Sequence, residues 1–418
     1  MMRSAYTSRL FAVVLVVVFA RAPLAIAQFD NVSNWAAFDP GDNHVGTDPD
    51  GYSNAVFDGR YVYFAPWHNG TGFHAEVLRY DTQRAFGDPS AWATYDPAAH
   101  DVGVRPRGFT GAVFDNRYVY FVPWHNGVDF HGEVLRYDTE GSFTDPSSWD
   151  TYDAKSHGVG HDPTGFGDAV FDGRYIYFVP TLNNTGYHGE VLRYDTSGAF
   201  REVSSWEAFD AGAHDVGSQP DGYWGGAFDG RYVYFAPVQN NEGMHGEVLR
   251  VDTVSEFSDP GSWTTFDPGV HDVGNKPDGF VGSVFDGQYV YFVPLEINGG
   301  EHNGEVLRYD TTGVFSDVSS WAAYDAGSNG LGDSPDKFAG GVFDGRYIYF
   351  APHSDDTAGA EEVLRYDTAE GFTDLTSWAV FDPVSAGVGS GIDGRHGGVF
   401  DGRYVYFAPS NWHQQMHG

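Results

Sequence analysis

A nine-residue block, Val56-Phe57-Asp58-Gly59-Arg60-Tyr61-Val62-Tyr63-Phe64, returns almost unchanged at Val113, Val170, Ala227, Val284, Val342 and Val399. Successive copies start 57 residues apart, except for one interval of 58 between Val284 and Val342. A fixed period of this length means that one supersecondary unit is set beside near-copies of itself. The extra residue falls between Pro294 and Glu305, where the first copy runs from Pro66 to Glu76. Length changes confined to one stretch mark that stretch as a loop.

Each unit reads as four strands. Strand A is a run of small residues ending in Val-Phe, as in Gly225-Gly226-Ala227-Phe228. Asp58-Gly59 follows, a hairpin signal that predicts a type I′ turn with positive φ at both central residues. Strand B, Arg60 to Ala65, stops at Pro66, which cannot donate to a ladder. Strand C is Glu76-Val77-Leu78-Arg79-Tyr80-Asp81, and strand D opens on a tryptophan that recurs at 35, 92, 149, 206, 263, 321 and 378. The 55 glycines, 26 tyrosines and 33 phenylalanines suit short strands and tight turns. No stretch after residue 27 has a 3.6-residue apolar period. The expected fold is therefore all-β, a seven-bladed β-propeller of four-stranded antiparallel blades. The glycines and alanines of strand A let innermost strands crowd the axis.

The termini are expected to close the ring. Residues 28–39, with Trp35, match strand D, and Val399 to Pro409 matches strands A and B. An N-terminal strand joining the last blade leaves no open edge. The last unit lacks a strand C before His417-Gly418, which reads as a C-terminal truncation or a three-stranded blade. Arg3 and Arg9, the apolar run Leu10 to Ala20, and Ala25-Ile26-Ala27 read as a secretory signal peptide cleaved near Ala27. This divides the chain into a leader, 1–27, and a single propeller, 28–418, secreted or periplasmic. The leader carries three arginines and no acid, so the remainder stands three units below the formal −35, at −38.

The glycine-containing inner strand, the tyrosine-rich second strand and the strand-D tryptophan resemble the kelch-like propellers. The near-identical blades look like those of propeller lectins. The resemblance covers 28–418 and implies a binding scaffold. The double glycine that kelch units carry after strand B is replaced here by Ala65-Pro66 and its counterparts, and no residue roles carry over.

The polar candidates gather in the B–C and D–A loops, which share a face in a propeller. The B–C loops supply Trp67-His68-Asn69-Gly70 with His74 and Glu76, and Trp124-His125-Asn126-Gly127 with His131 and Glu133. His188/Glu190, His245/Glu247 and His302/Glu305 follow, with Ala360 before Glu362 breaking the pattern and His417 alone in the last unit. The D–A loops supply His100, His157, His214 and His271, with Asn43 and Asn329 at matching positions. A ring of imidazole, carboxylate, amide and tryptophan suits sugars, whose ring face stacks on Trp and whose hydroxyls need paired donors and acceptors. Repetition would multiply weak sites. The alternative is that these groups order the loops. These patterns require no cofactor, and Ca²⁺, Zn²⁺ or Mn²⁺ are the ions they could take. The recurring strand-C arginines, Arg79 onward, are expected to pair with turn aspartates such as Asp58.

One column does not repeat: Ser53, Thr110, Gly167, Trp224, Val281, Ala339 and His396. Trp224, His396 and Arg395, with Asp168, are the candidate catalytic set for a metal-assisted polysaccharide lyase or hydrolase with one site in the central funnel. No nucleophile elbow or phosphate loop is present. Because the conspicuous polar groups are the repeated ones, a multivalent glycan or cell-surface binder is preferred over an enzyme, with a structural or protein-interaction propeller as the third reading. The 58 acidic against 23 basic residues argue against nucleic acid. No second apolar run is long enough to enter a membrane. Only Lys155, Lys276 and Lys337 are lysines, an acidic surface that suits salty surroundings and equally serves ordinary solubility.

Overall fold

The computed structural model describes residues 14–18, 29–298, 301–333, 335–353, 362–389 and 395–410. Among these the chain is all-β, with 3-10 turns and no α-helix. Six four-stranded antiparallel blades, one fewer than the repeat count, are each folded from one continuous segment. The first uses Tyr52–Phe57, Tyr61–Pro66, Val77–Asp81 and Trp92–Tyr95 as strands A to D. The seventh repeat has no continuous blade. Its strands A and B, Arg395–Phe400 and Tyr404–Pro409, join two N-terminal strands in a composite sheet. Trp35–Phe38 lies at the outer edge as strand D. Val14–Val18, in the middle of the apolar N-terminal run, lies in the strand-C position between them. The inner strand of this sheet packs against those of blades one and six.

The A–B hairpin differs from the expected type I′ turn. Asp58 N–H bonds the Tyr61 carbonyl, so the two central residues are Gly59 and Arg60. Only Gly59 has positive φ, +101°, which is the II′ pattern with glycine first. The Asp58 carboxylate accepts from the Arg60 and Tyr61 amides and the Tyr63 hydroxyl. Both of its oxygens are thus engaged within its own turn, and among the described residues it forms no ion pair with Arg79.

The arginine pairing is corrected accordingly. Arg79 lies between the Tyr61 ring (4.2 Å) and the Phe143 ring of the next blade (4.1 Å). The same guanidinium sandwich recurs from blade to blade, ending with Arg365 over Tyr347 and Phe29. Two of these strand-C arginines also reach a strand-D carboxylate, Arg136 to Asp150 at 3.4 Å and Arg193 to Glu207, while the strand-C aspartate pairs with the arginine that opens strand B. Asp81 takes Arg60 at 2.9 Å, and Asp138 takes Arg117 at 2.8 Å. Each strand-D tryptophan donates its indole N–H to a carbonyl six residues upstream, as Trp92 does to Phe86 (2.9 Å). Aromatic rings therefore fill the space between blades, and arginines staple one blade to the next.

Candidate functional site

The carboxylates of the B–C loops come first, because their partners decide what remains for a ligand. Glu133 accepts the amides of Val104 (2.7 Å) and Arg105 (2.9 Å), in the loop leading into its own blade. Glu76, Glu190, Glu247 and Glu305 hold Thr47/Asp48, His161/Asp162, Ser218/Gln219 and Asn275/Lys276 in the same way. Glu362 takes the amide of Asp333.

His131 is buried beside Glu133. A carbonyl can only accept, so Nε2 carries the proton and donates to the Arg107 carbonyl (3.0 Å). Nδ1 then accepts the Glu133 amide (3.3 Å). Burial pushes this imidazole down to about 4, and His188, bonded alike to Thr164 and Glu190, also to about 4. His74 donates to the Gly51 carbonyl, and burial lowers it and His245 as well. The fifth unit corrects the sequence alignment. Asn303 stands where His131 stands: its amide donates to the Asp278 carbonyl (3.0 Å) and its oxygen accepts from the Glu305 amide (2.9 Å). His302 is displaced by the inserted residue and lies in the Glu301–His302 strand. An amide can replace the imidazole because the task is to bridge two backbone groups.

The Trp-His-Asn-Gly segments are loop fasteners too. His68 and His125 accept the amides of Gly70 and Gly127 on Nδ1, both at 3.1 Å. Asn69 and Asn126 accept the next two amides. Trp67 is buried.

The D–A imidazoles are different. His100, His157 and His214 are exposed, stack on Tyr95, Tyr152 and Phe209 at 4.6–4.8 Å, and bond through Nδ1 to the carbonyl four residues back. His271 stacks on Phe266 at 5.0 Å. Asn43 and Asn329 make the same i−4 bond in the first and sixth loops. Among the described residues no group of three or more His, Asp or Glu side chains could hold a metal ion.

What remains is at the axis. Trp224, from strand A of the fourth blade, meets Trp124 with ring centroids 5.0 Å apart and planes at 59°. Gly167 makes room, since a Cβ there would stand 3.1 Å from Trp224 Cα. The two indoles, with Tyr187, Met244, Val238 and Leu295, line a cavity of about 120 Å³ whose wall is mostly apolar, with Gln239, Glu296 and His353 among its polar members. Short B–C hairpins form its crown. Asn184 bonds both the amide and the carbonyl of Phe130 in the preceding blade, Asn241 does so with Tyr187, and Asn298 with Met244. Below, a narrow axial channel of about 60 Å³ is lined by Asn54, Asp168 and Ser283. Burial raises the Asp168 carboxyl to about 7.

Of the catalytic candidates, Trp224 is therefore in the funnel and Asp168 in the channel beneath it. Arg395 and His396 lie in strand A of the composite sheet, opposite Pro409 and Ala408, and their side chains lie outside the described residues, as do Ala360, His417 and the Ala25–Ala27 segment. Sequence reasoning missed Tyr187, Val238, Gln239, Met244, Leu295 and Glu296. A signal was present: the residue after the strand-B proline runs Trp67, Trp124, Thr181, Val238, Leu295 and His353, a second column that does not repeat. No family model matches the chain, and no curated protein matches it.

Proposed function

We propose that this chain is a secreted binding protein that takes its ligand in the funnel on the propeller axis, with Arg395–Phe400 and Tyr404–Pro409 as the inner strands of a seventh blade. The observation that carries the reading is the tilted Trp124–Trp224 pair, set in an apolar cup. Such a cup accepts a flat, weakly polar face, and the C–H face of a sugar ring is one, with Gln239 and Glu296 available to hydroxyls. One funnel implies one ligand per chain. Secretion rests on the Arg3/Arg9, Leu10–Ala20 and Ala25–Ala27 pattern. The carboxylates Glu76, Glu133, Glu190, Glu247 and Glu305 already hold backbone amides, which speaks against a repeated His/Glu grip.

A second reading keeps multivalency in another place. The stacked imidazoles of His100, His157, His214 and His271 are exposed at equivalent points of four blades. Titration calorimetry with a panel of polysaccharide fragments separates the two. The funnel gives one site per chain, lost at least tenfold in Trp224→Ala and unchanged in His157→Ala. Several sites per chain, weakened by His157→Ala, would replace the funnel with the rim. Release of shorter products would make the chain a polysaccharide-cleaving enzyme.

A further inference from the structure

Building on the funnel as the binding site, we propose that its ligand is an amino sugar: a pyranose unit whose ring face lies on the indoles and whose free ammonium group pairs with the Glu296 carboxylate. Charge along the axis has one sign. Glu296 opens the short hairpin formed by Glu296–Ile297 and Glu301–His302, and it lines the cup with Trp124 and Trp224. Trp224, Val281 and Ala339 line both the cup and the channel beneath it, where Asp168 is a second carboxyl group. Among the described residues neither space is lined by a lysine or an arginine. The whole chain carries a formal −35, and a recess walled by one sign of charge concentrates that potential where a ligand enters.

Glu296 differs from the repeated glutamates. Glu76, Glu133, Glu190, Glu247 and Glu305 are occupied by backbone amides. The Glu296 carboxylate accepts no hydrogen bond and forms no ion pair among the described residues. Its position, two after the strand-B proline, is held by His68, His125, Leu182, Gln239, Ser354 and Asn411 in the other repeats. No duty common to the blades therefore calls for an acid there. Of the remaining polar wall, Thr181 gives its hydroxyl proton to the Tyr223 carbonyl, whereas Gln239 is left to a sugar hydroxyl.

A ring seated on the indoles displaces water from Glu296. A sugar hydroxyl replaces that water with a neutral hydrogen bond, and an ammonium with a charge-assisted one about twice as strong. A sugar carboxylate would meet a like charge and be turned away. The indoles act in the same direction, because an ammonium near the face of a tryptophan is drawn to the ring quadrupole. The axis thus ranks sugars, with aminated above neutral and neutral above acidic.

The test is titration calorimetry of the full chain at about pH 5.5, where the sugar amine is charged. Three β-1,4-linked trisaccharides are compared: glucosamine, its N-acetylated form and glucuronic acid. Acetylation removes the charge and keeps the ring. The glucosamine trimer is expected to bind at one site per chain, at least tenfold more tightly than the acetylated trimer, with no measurable heat from the glucuronate. Glu296→Gln keeps the size of the side chain and is expected to abolish the difference between the first two. Equal or tighter binding of the acetylated trimer, or a glucosamine preference that survives Glu296→Gln, overturns the amino-sugar assignment. The funnel itself still stands in that case if Trp224→Ala weakens both trimers. Glucosamine binding at several sites per chain that survives Trp224→Ala is adhesion to the acidic surface, and it overturns the assignment and the funnel together, as does the absence of binding by all three trimers.

Discussion

His131 is held neutral by its two backbone bonds: a proton on Nδ1 would break the bond from the Glu133 amide, and burial opposes the charge. The unfolded chain takes up this proton below about pH 6.5, whereas the folded ring refuses it until about 4. Stability is therefore complete above pH 6.5 and is lost as pH falls toward 4, by about 3 kcal/mol for one such ring. His131→Asn copies Asn303. It is expected to keep most of the stability at pH 7 and to lose part of the acid dependence, measured by urea unfolding at pH 7 and pH 5. Asp168 runs the other way. Its folded pKa is raised, so its contribution is complete below about pH 4 and is lost as pH rises through 7. Asn54 occupies the same strand-A position in the first blade and accepts the next amide (2.8 Å) without charge. Asp168→Asn is accordingly expected to raise stability at pH 8, on the order of 3 kcal/mol, and to leave it unchanged at pH 4. Equal unfolding midpoints at pH 8 would show that the channel hydrates this carboxylate.

At the scale of the element, the staple between blades is a flat cation between two rings. Arg136 lies 4.2 Å from the Tyr118 ring and 4.1 Å from Phe200, with its side chain only 17% exposed. An ammonium group has no flat face to lie against both rings, so Arg136→Lys is expected to cost about 1–2 kcal/mol despite keeping the charge. Lysine performing as well as arginine in denaturant unfolding would mean that the charge, through Asp150, is what counts. The strand-C arginine and the strand-D tryptophan were both visible as repeated letters. Their partners were not, because Phe143 lies 64 residues beyond Arg79 and is brought to it only by the stacking of blades. Asp58 looked like the nearer partner, yet its own turn uses both of its oxygens.

For the whole molecule, an excess of acid at a formal charge of −35 repels itself across a closed surface. The ion pairs that oppose this, such as Arg60 with Asp81, involve an arginine half exposed to solvent and contribute little. Added NaCl is thus expected to raise the thermal midpoint between 0.01 and about 0.3 M, as the Debye length shrinks. A falling midpoint would mean that the ion pairs outweigh the repulsion. The axis is also a whole-molecule property. Trp124 and Trp224 come from different blades, and the funnel between them exists only because inner strands from several repeats converge.

The order of strands, the place of the hairpins and the use of Trp35–Phe38 as an outer strand were written in the 57-residue period, because backbone pairing and apolar alternation act over a few residues; the turn type and the partners of the strand-C arginines were not. The tertiary structure alone decided what the polar groups do. A histidine two residues before a glutamate is the same pattern whether it grips a ligand or ties down a loop, and the difference lies in which backbone amides come within 3 Å. Asn43, Asn303 and Asn329 hinted at the answer, since an amide can replace an imidazole as a bridge between backbone groups. Variation likewise marked the funnel: positions facing neighbouring blades are held constant by identical neighbours, whereas those facing the axis are free to differ.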